Sequence, residues 1–126
     1  MTYFQRKSNN KFNAKGTRYN DQFFHSKGEA GYAMKLDWRL KAGEIKSYER
    51  QVKIDLVVNG VHITNYFVDF KVIDKHGAVS YHEYKGLSTP DFQIKWKLFQ
   101  ALIGEIDPGA ELVLIKHSQR PKFKKK

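Results

Sequence analysis

Apolar residues recur along this chain first at helical spacing and then at strand spacing. Between Ser26 and Lys41 the residues Ala30, Ala33, Met34, Leu36 and Leu40 fall near a 3.6-residue period, predicting a helix with one buried stripe. Ser26 suits the N-cap, and Gly43 lies where a helix commonly ends in the left-handed region. Residues 48–58 alternate in part, through Val52, Ile54 and Leu56, and read as a strand. Asn59-Gly60 is a strong two-residue hairpin signal. Residues 61–73 form the returning strand, with a break expected near Asn65. Asp74-Lys75-His76-Gly77 makes the next turn, and residues 79–84 the third strand. Pro90 or Asp91 opens a second helix whose apolar side carries Phe92, Trp96, Phe99 and Ile103. Asp107-Pro108-Gly109 then turns the chain into a short apolar strand at residues 112–115. Three hairpin-linked strands form an antiparallel meander, and a helical crossover would lay the last strand parallel to a neighbour and bury it. The expectation is an α/β fold, a mixed sheet flanked by helices in the order αβββαβ.

At 126 residues the chain is sized for one core. It has no cysteine, which excludes disulfides, thiolate chemistry and cysteine-bound zinc. No apolar run is long enough to span a membrane and the first residues lack a signal-peptide pattern, so a cytoplasmic protein is expected. The formal net charge is +10, unevenly spread. Residues 1–20 carry Arg6, Lys7, Lys11, Lys15 and Arg18 with no acid. Residues 116–126 carry Lys116, Arg120, Lys122, Lys124, Lys125 and Lys126 with no acid. The two ends thus hold 11 of the 23 basic residues, leaving 12 against 13 acids between them. This predicts a basic arm at 1–21, a nearly neutral core at 22–116 and a basic tail at 117–126. Such arms favour a polyanion, through release of its counterions. Tyr3, Phe4, Phe12 and Tyr19 in the first arm could stack on bases or pack back on the core.

The chemistry is concentrated at Asp69 and at Glu83-Tyr84-Lys85. A turn centred between Lys75 and His76 pairs residues whose numbers sum to 151; one extra loop residue makes the sum 152 and sets Asp69 opposite Glu83. Opposed side chains in an antiparallel pair have Cβ atoms about 4.5–5.5 Å apart. Two carboxylates so placed repel, and a divalent ion turns that penalty into a ligand set; hard oxygen donors select Mg2+, with Mn2+ as its substitute. Lys85, two residues on, projects from the same face as Glu83 and could orient a water, stabilise negative charge or act as a base. The Tyr84 carbonyl could also reach the ion.

Asp69 with Glu83-x-Lys85 resembles the acid and (D/E)-x-K element of the PD-(D/E)XK nuclease superfamily, and the chain also carries the ordered set Phe12-Asn13-Ala14-Lys15, Ser26-Lys27-x-Glu29-Ala30, Ala42-Gly43-Glu44-Ile45, Asp69-Phe70 and Lys95-x-Lys97-Leu98-Phe99. Within that superfamily, the set is similar to small phage-encoded proteins related to Holliday-junction resolvases of the phage endonuclease I type. The resemblance spans roughly residues 11–116. It implies a restriction-endonuclease-like core, metal ligation by Asp69, Glu83 and the Tyr84 carbonyl, Lys85 as the catalytic lysine, and Glu29 completing the acidic cluster. Val68 stands where the motif's name has proline.

Each residue also has a plainer reading. Glu29 closes a capping box with Ser26. Asp69 could lie on a solvent-facing strand edge, and Glu83 and Lys85 on an exposed face with His82 and Tyr84 turned inward. Gly28 and Gly31 weaken the first helix. Gln51 could point towards the site and contact water or phosphate; Lys95 and Lys97 are more often solvated helix lysines, yet Lys95 resembles a family phosphate contact. Arg6, Lys7, Lys11, Lys15, Arg18, Arg120 and Lys122 would hold duplex backbone without reading sequence. His25, His62, His76, His82 and His117 show no metal-ligand spacing and read as incidental, while Trp38 and Trp96 read as core or interface. The expected function is a Mg2+-dependent endonuclease on branched or four-way-junction DNA, working as a C2 homodimer. A nicking or end-processing nuclease on linear duplex, a non-catalytic nucleic-acid-binding protein and a packaging protein are the alternatives.

Overall fold

In the computed structural model, which describes residues 16–85 and 88–116, the chain folds as an α/β unit. A short hairpin, β1 (Thr17–Tyr19) and β2 (Gln22–Phe24), precedes α1 (Lys27–Lys41). The meander β3 (Ile45–Val58), β4 (Val61–Asp74) and β5 (Val79–Lys85) follows, then α2 (Pro90–Ile106) and β6 (Glu111–Lys116). The main sheet is ordered β3-β4-β5-β6; its first three strands are antiparallel and β6 runs parallel to β5. The sheet is therefore mixed and flanked by helices, as the hydrophobic pattern predicts.

Local chemistry sets the boundaries. The Ser26 hydroxyl accepts the Glu29 N–H at 3.1 Å and opens α1; Thr89 does the same for Phe92 at 3.2 Å and opens α2. Asn59 and Gly60, with φ of 50° and 81°, make the tight left-handed turn between β3 and β4. In the next turn Asp74 accepts the N–H groups of His76 and Ala78 on one oxygen.

The two helices cover opposite faces of β5. Tyr81 packs on Phe99 of α2, whereas its neighbour His82 packs on Tyr32 of α1. Two apolar clusters result. One joins Phe92, Trp96, Phe99 and Leu102 to Ile54, Leu56, Tyr66 and Val68; the other joins Ala30, Ala33 and Leu36 to Phe24, Phe70 and Val72. Val68 and Phe70 are two residues apart, so a flat strand would turn both to one face, yet they serve different clusters. The switch falls at Asp69, opposite Gln51, whose φ of 50° is left-handed. Arg50↔Phe70 and Val52↔Val68 are paired in one register, and Gln51↔Asp69 is missing from the ladder between them.

Several sequence expectations change. The irregular arm over 1–21 does not hold at its end: residues 17–19 are β1, and the boundary at 21/22 cuts the hairpin. Tyr19 packs back on Phe24 and donates to Asp37, which also accepts from Tyr48, so the hairpin is pinned to α1 and β3. β3 starts at Ile45, earlier than expected. β4 is continuous through Asn65, and the β3–β4 ladder instead shifts register twice, between Ile45 and Ser47 and between Leu56 and Val57. β6 is only partly buried, because it is the sheet edge in the described residues. Leu40 and Trp38 are exposed, and Leu102 takes the buried place expected of Ile103. Among the described residues no helix is long and apolar enough to cross a membrane.

Candidate active site

The β4–β5 ladder follows the register sum of 152, from Ile73↔Val79 to Phe70↔His82, and stops one step short of Asp69 and Glu83. Side chains replace the backbone acceptors at that step. Asp69 Oδ2 accepts the Tyr84 N–H at 2.9 Å, and Glu83 Oε1 accepts the Asp69 N–H at 3.3 Å. The strands part there, and β5 continues beside β6 through Glu83↔Leu114 to Lys85↔Lys116. The two acids sit in the fork. Glu83 Oε1 also accepts the Tyr66 hydroxyl at 2.8 Å, while Glu83 Oε2 lies 3.6 Å from Lys85 Nζ. That ammonium is 4.3 Å from the centre of the Phe92 ring, a cation–π contact that fixes it from the α2 side.

Glu29 reaches the same place from α1. Its N–H is capped by Ser26 and its carboxylate accepts a backbone hydrogen bond from His25, beside the N-cap, as a capping residue does; the residue is nevertheless 5 % exposed, and the same carboxylate meets Gln51 and Arg50, which capping does not require. Gln51 Nε2 donates to Asp69 Oδ1 at 3.0 Å and to Glu29 Oε2 at 3.4 Å. Arg50 Nη2 lies 3.7 Å from Glu29 Oε2, with its guanidinium 3.7 Å over the Phe24 ring and hydrogen bonds to Gln22 and the Phe23 carbonyl. Arg50 thus ties the β1–β2 hairpin to the cluster. Gly28 is explained as well: a Cβ there would collide with the Tyr84 ring.

Three buried carboxylates on few cations resist ionisation. Burial, then the charge of Asp69, pushes both Glu29 and Glu83 up to about 7. Asp69 is raised by burial, against the Tyr84 N–H, Gln51 and Lys85, which lower it. A hard divalent cation suits this donor set, since it would neutralise buried oxygens that their surroundings leave short of positive charge. Glu29, Asp69 and Glu83 are the residues that would hold it. As they stand, however, no three His, Asp or Glu side chains among the described residues lie close enough to hold an ion together, so these three would have to draw in around one.

The structure therefore brings together Asp69, Glu83, Lys85, Glu29 and Gln51, and it places Tyr84 beside them through its N–H. Lys95, half-buried, and Lys97, exposed, stand on α2 without an ion pair or hydrogen bond among the described residues. Arg18 is exposed on β1. Arg6, Lys7, Lys11, Lys15, Arg120 and Lys122 lie outside the described residues. His82 is not incidental: it is buried, with the Tyr32 hydroxyl on Nδ1 and the Ser80 hydroxyl on Nε2, and burial followed by Arg39 lowers it to about 4. Tyr66, Arg50 and Phe92 were missed by sequence reasoning. Each reads as an ordinary strand or core position, and only the fold shows that they hold Glu83, Glu29 and Lys85.

Over residues 9–119 the chain matches the family described as "Protein of unknown function (DUF1064)", and it belongs to that family. No curated protein and no solved structure matches it.

Proposed function

We propose that this family member is a Mg2+-dependent endonuclease that hydrolyses DNA phosphodiester bonds in branched or four-way-junction DNA, in the cytoplasm of the cell that holds that DNA. One observation carries the reading: acids from α1, β4 and β5 meet a lysine in a fork of the sheet, buried and crowded although their mutual repulsion opposes folding. Buried acids with raised pKa values beside a lysine are the kind of cluster that cation and phosphate sites require, and this supports the reading.

A divalent ion held there would supply Lewis acidity towards the scissile phosphate and a more acidic bound water. Lys85 is kept in place by Glu83 and Phe92, and beside a bound phosphate it would offset the charge that grows on the phosphoryl oxygens. The water oxygen bonds to phosphorus as the bond to the 3′ oxygen breaks; the attacking water gives up a proton to solvent and the departing 3′ oxygen takes one from solvent, leaving a 5′-phosphate and a 3′-hydroxyl. Tyr66 and the Asp69 N–H fix the Glu83 carboxylate so that it does not swing to Lys85 alone. The basic ends supply contacts to flanking phosphates. Cutting a junction symmetrically needs two such sites, hence a C2 homodimer.

The test is cleavage of a labelled four-way junction beside a linear duplex of the same sequence, with Mg2+. Cutting of the junction alone is the expected result. Equal cutting of both would move the reading to a nicking or end-processing nuclease, and binding without cutting would leave a nucleic-acid-binding protein.

A further inference from the structure

Gln51 is the one left-handed residue within a long strand of this fold that is neither glycine nor at a turn, among the described residues. Such a conformation is uncommon for a side-chain-bearing residue and persists only where its surroundings hold it. Asparagine or glycine would adopt it more readily. Asparagine, however, is one methylene shorter, and glycine has no side chain. The choice of glutamine is explained by reach: its amide nitrogen carries two hydrogens and gives one each to Asp69 Oδ1 and Glu29 Oε2.

That nitrogen stands between two buried carboxylates of like charge, one from α1 and one from β4. Its hydrogens do weakly what a cation would do strongly. An ion shared by Glu29 and Asp69 needs their oxygens to close around it, with metal–oxygen distances of about 2.1 Å for Mg2+. Amide hydrogens directed into the same space are repelled by the ion.

We propose that Gln51 is an internal competitor of the divalent cation: its amide bridges Glu29 and Asp69 and must release at least one of them before an ion can be shared between them. The inference rests on the metal-dependent reading above and adds a regulatory element to it. Gln51 sets how tightly the cation is held, so that it can be exchanged, and it holds the two acids in place until an ion arrives. In this account Gln51 is a positioning residue, not a ligand.

Calorimetric titration with Mn2+ and thermal melting in chelator, on wild type, Gln51→Asn and Gln51→Gly, test it without relying on activity. Both variants suit the left-handed backbone, and neither can bridge. The expected result is Mn2+ binding about tenfold tighter in the variants, the size of one charge-assisted hydrogen bond no longer displaced. Melting in chelator should fall by several degrees even though the backbone strain is relieved. Weaker Mn2+ binding in both variants would make Gln51 a ligand and overturn the proposal, as would binding and melting equal to wild type. No Mn2+ binding by any of the three, wild type included, would sink the metal-dependent reading itself, a different result from either.

Discussion

Glu29 and Glu83 hold protons to a higher pH in the folded chain than in the unfolded one, and this fixes the sign of a measurable effect. Both are pushed from 4.5 to about 7, first by burial and then by Asp69. Between those values the folded state binds more protons, so stability falls as pH rises. His82 acts oppositely: its folded value of about 4 lies below the ordinary 6.5, so it adds stability with rising pH, but only up to about 6.5. Above that the carboxylates act alone. Melting in chelator should therefore decline from about pH 6.5 to about pH 8, by about 1 kcal/mol per carboxylate. Glu83→Gln should remove about half of the decline and leave the Glu29 share, and a flat wild-type profile would contradict the crowding of the cluster. Asp69, Glu83 and Lys85 were legible in the sequence because their meeting depends only on turn length and strand alternation. Tyr66, Arg50 and Phe92 were not, since their roles depend on a face switch and a crossover that no local spacing encodes.

The elements make a paired prediction in α1, where two glycines look equally costly in sequence. A Cβ at Gly28 would run into the Tyr84 ring, while at Gly31 it would meet nothing within 4 Å. Gly31→Ala should raise stability by about 0.5–1 kcal/mol through helix propensity alone. Gly28→Ala should lower it by about 1–3 kcal/mol, as overpacking outweighs the same gain. Melting both decides it, and stabilisation by both would mean that Tyr84 is not seated on the helix. The elements themselves were mostly predictable, because Asn59-Gly60, Ser26 and Pro90 are punctuation with a mechanism. The β1–β2 hairpin was hidden by polar composition: Thr17–Tyr19 has no apolar alternation, and it is held by Asp37 and Arg50, far along the chain. Near Asn65 the strand is not broken, since Asn65 pairs with Asp55, but the ladder shifts register just beyond it and leaves Ile63 without a partner.

At the scale of the molecule, a nearly neutral fold carries strongly basic ends, and under the proposed function affinity would rest on the ends and chemistry on the fold. Deleting residues 117–126 removes Arg120, Lys122, Lys124, Lys125 and Lys126 but no acid-cluster residue. DNA binding should weaken, with a salt dependence shallower by about 0.9 for each phosphate the tail no longer neutralises, while Mg2+-dependent cutting at saturating protein persists. Loss of cutting with binding intact would place the tail in the chemistry instead. The central claim is that the fork in the sheet is a phosphodiesterase site. Its most direct test compares wild type with Lys85→Ala on a labelled four-way junction, with Mg2+ and with chelator. The account predicts cutting only by wild type with Mg2+, and a mutant that still folds and binds the junction but cuts at least about a hundredfold more slowly. Cutting by Lys85→Ala at the wild-type rate, or binding without cutting by wild type under any divalent ion, would contradict it.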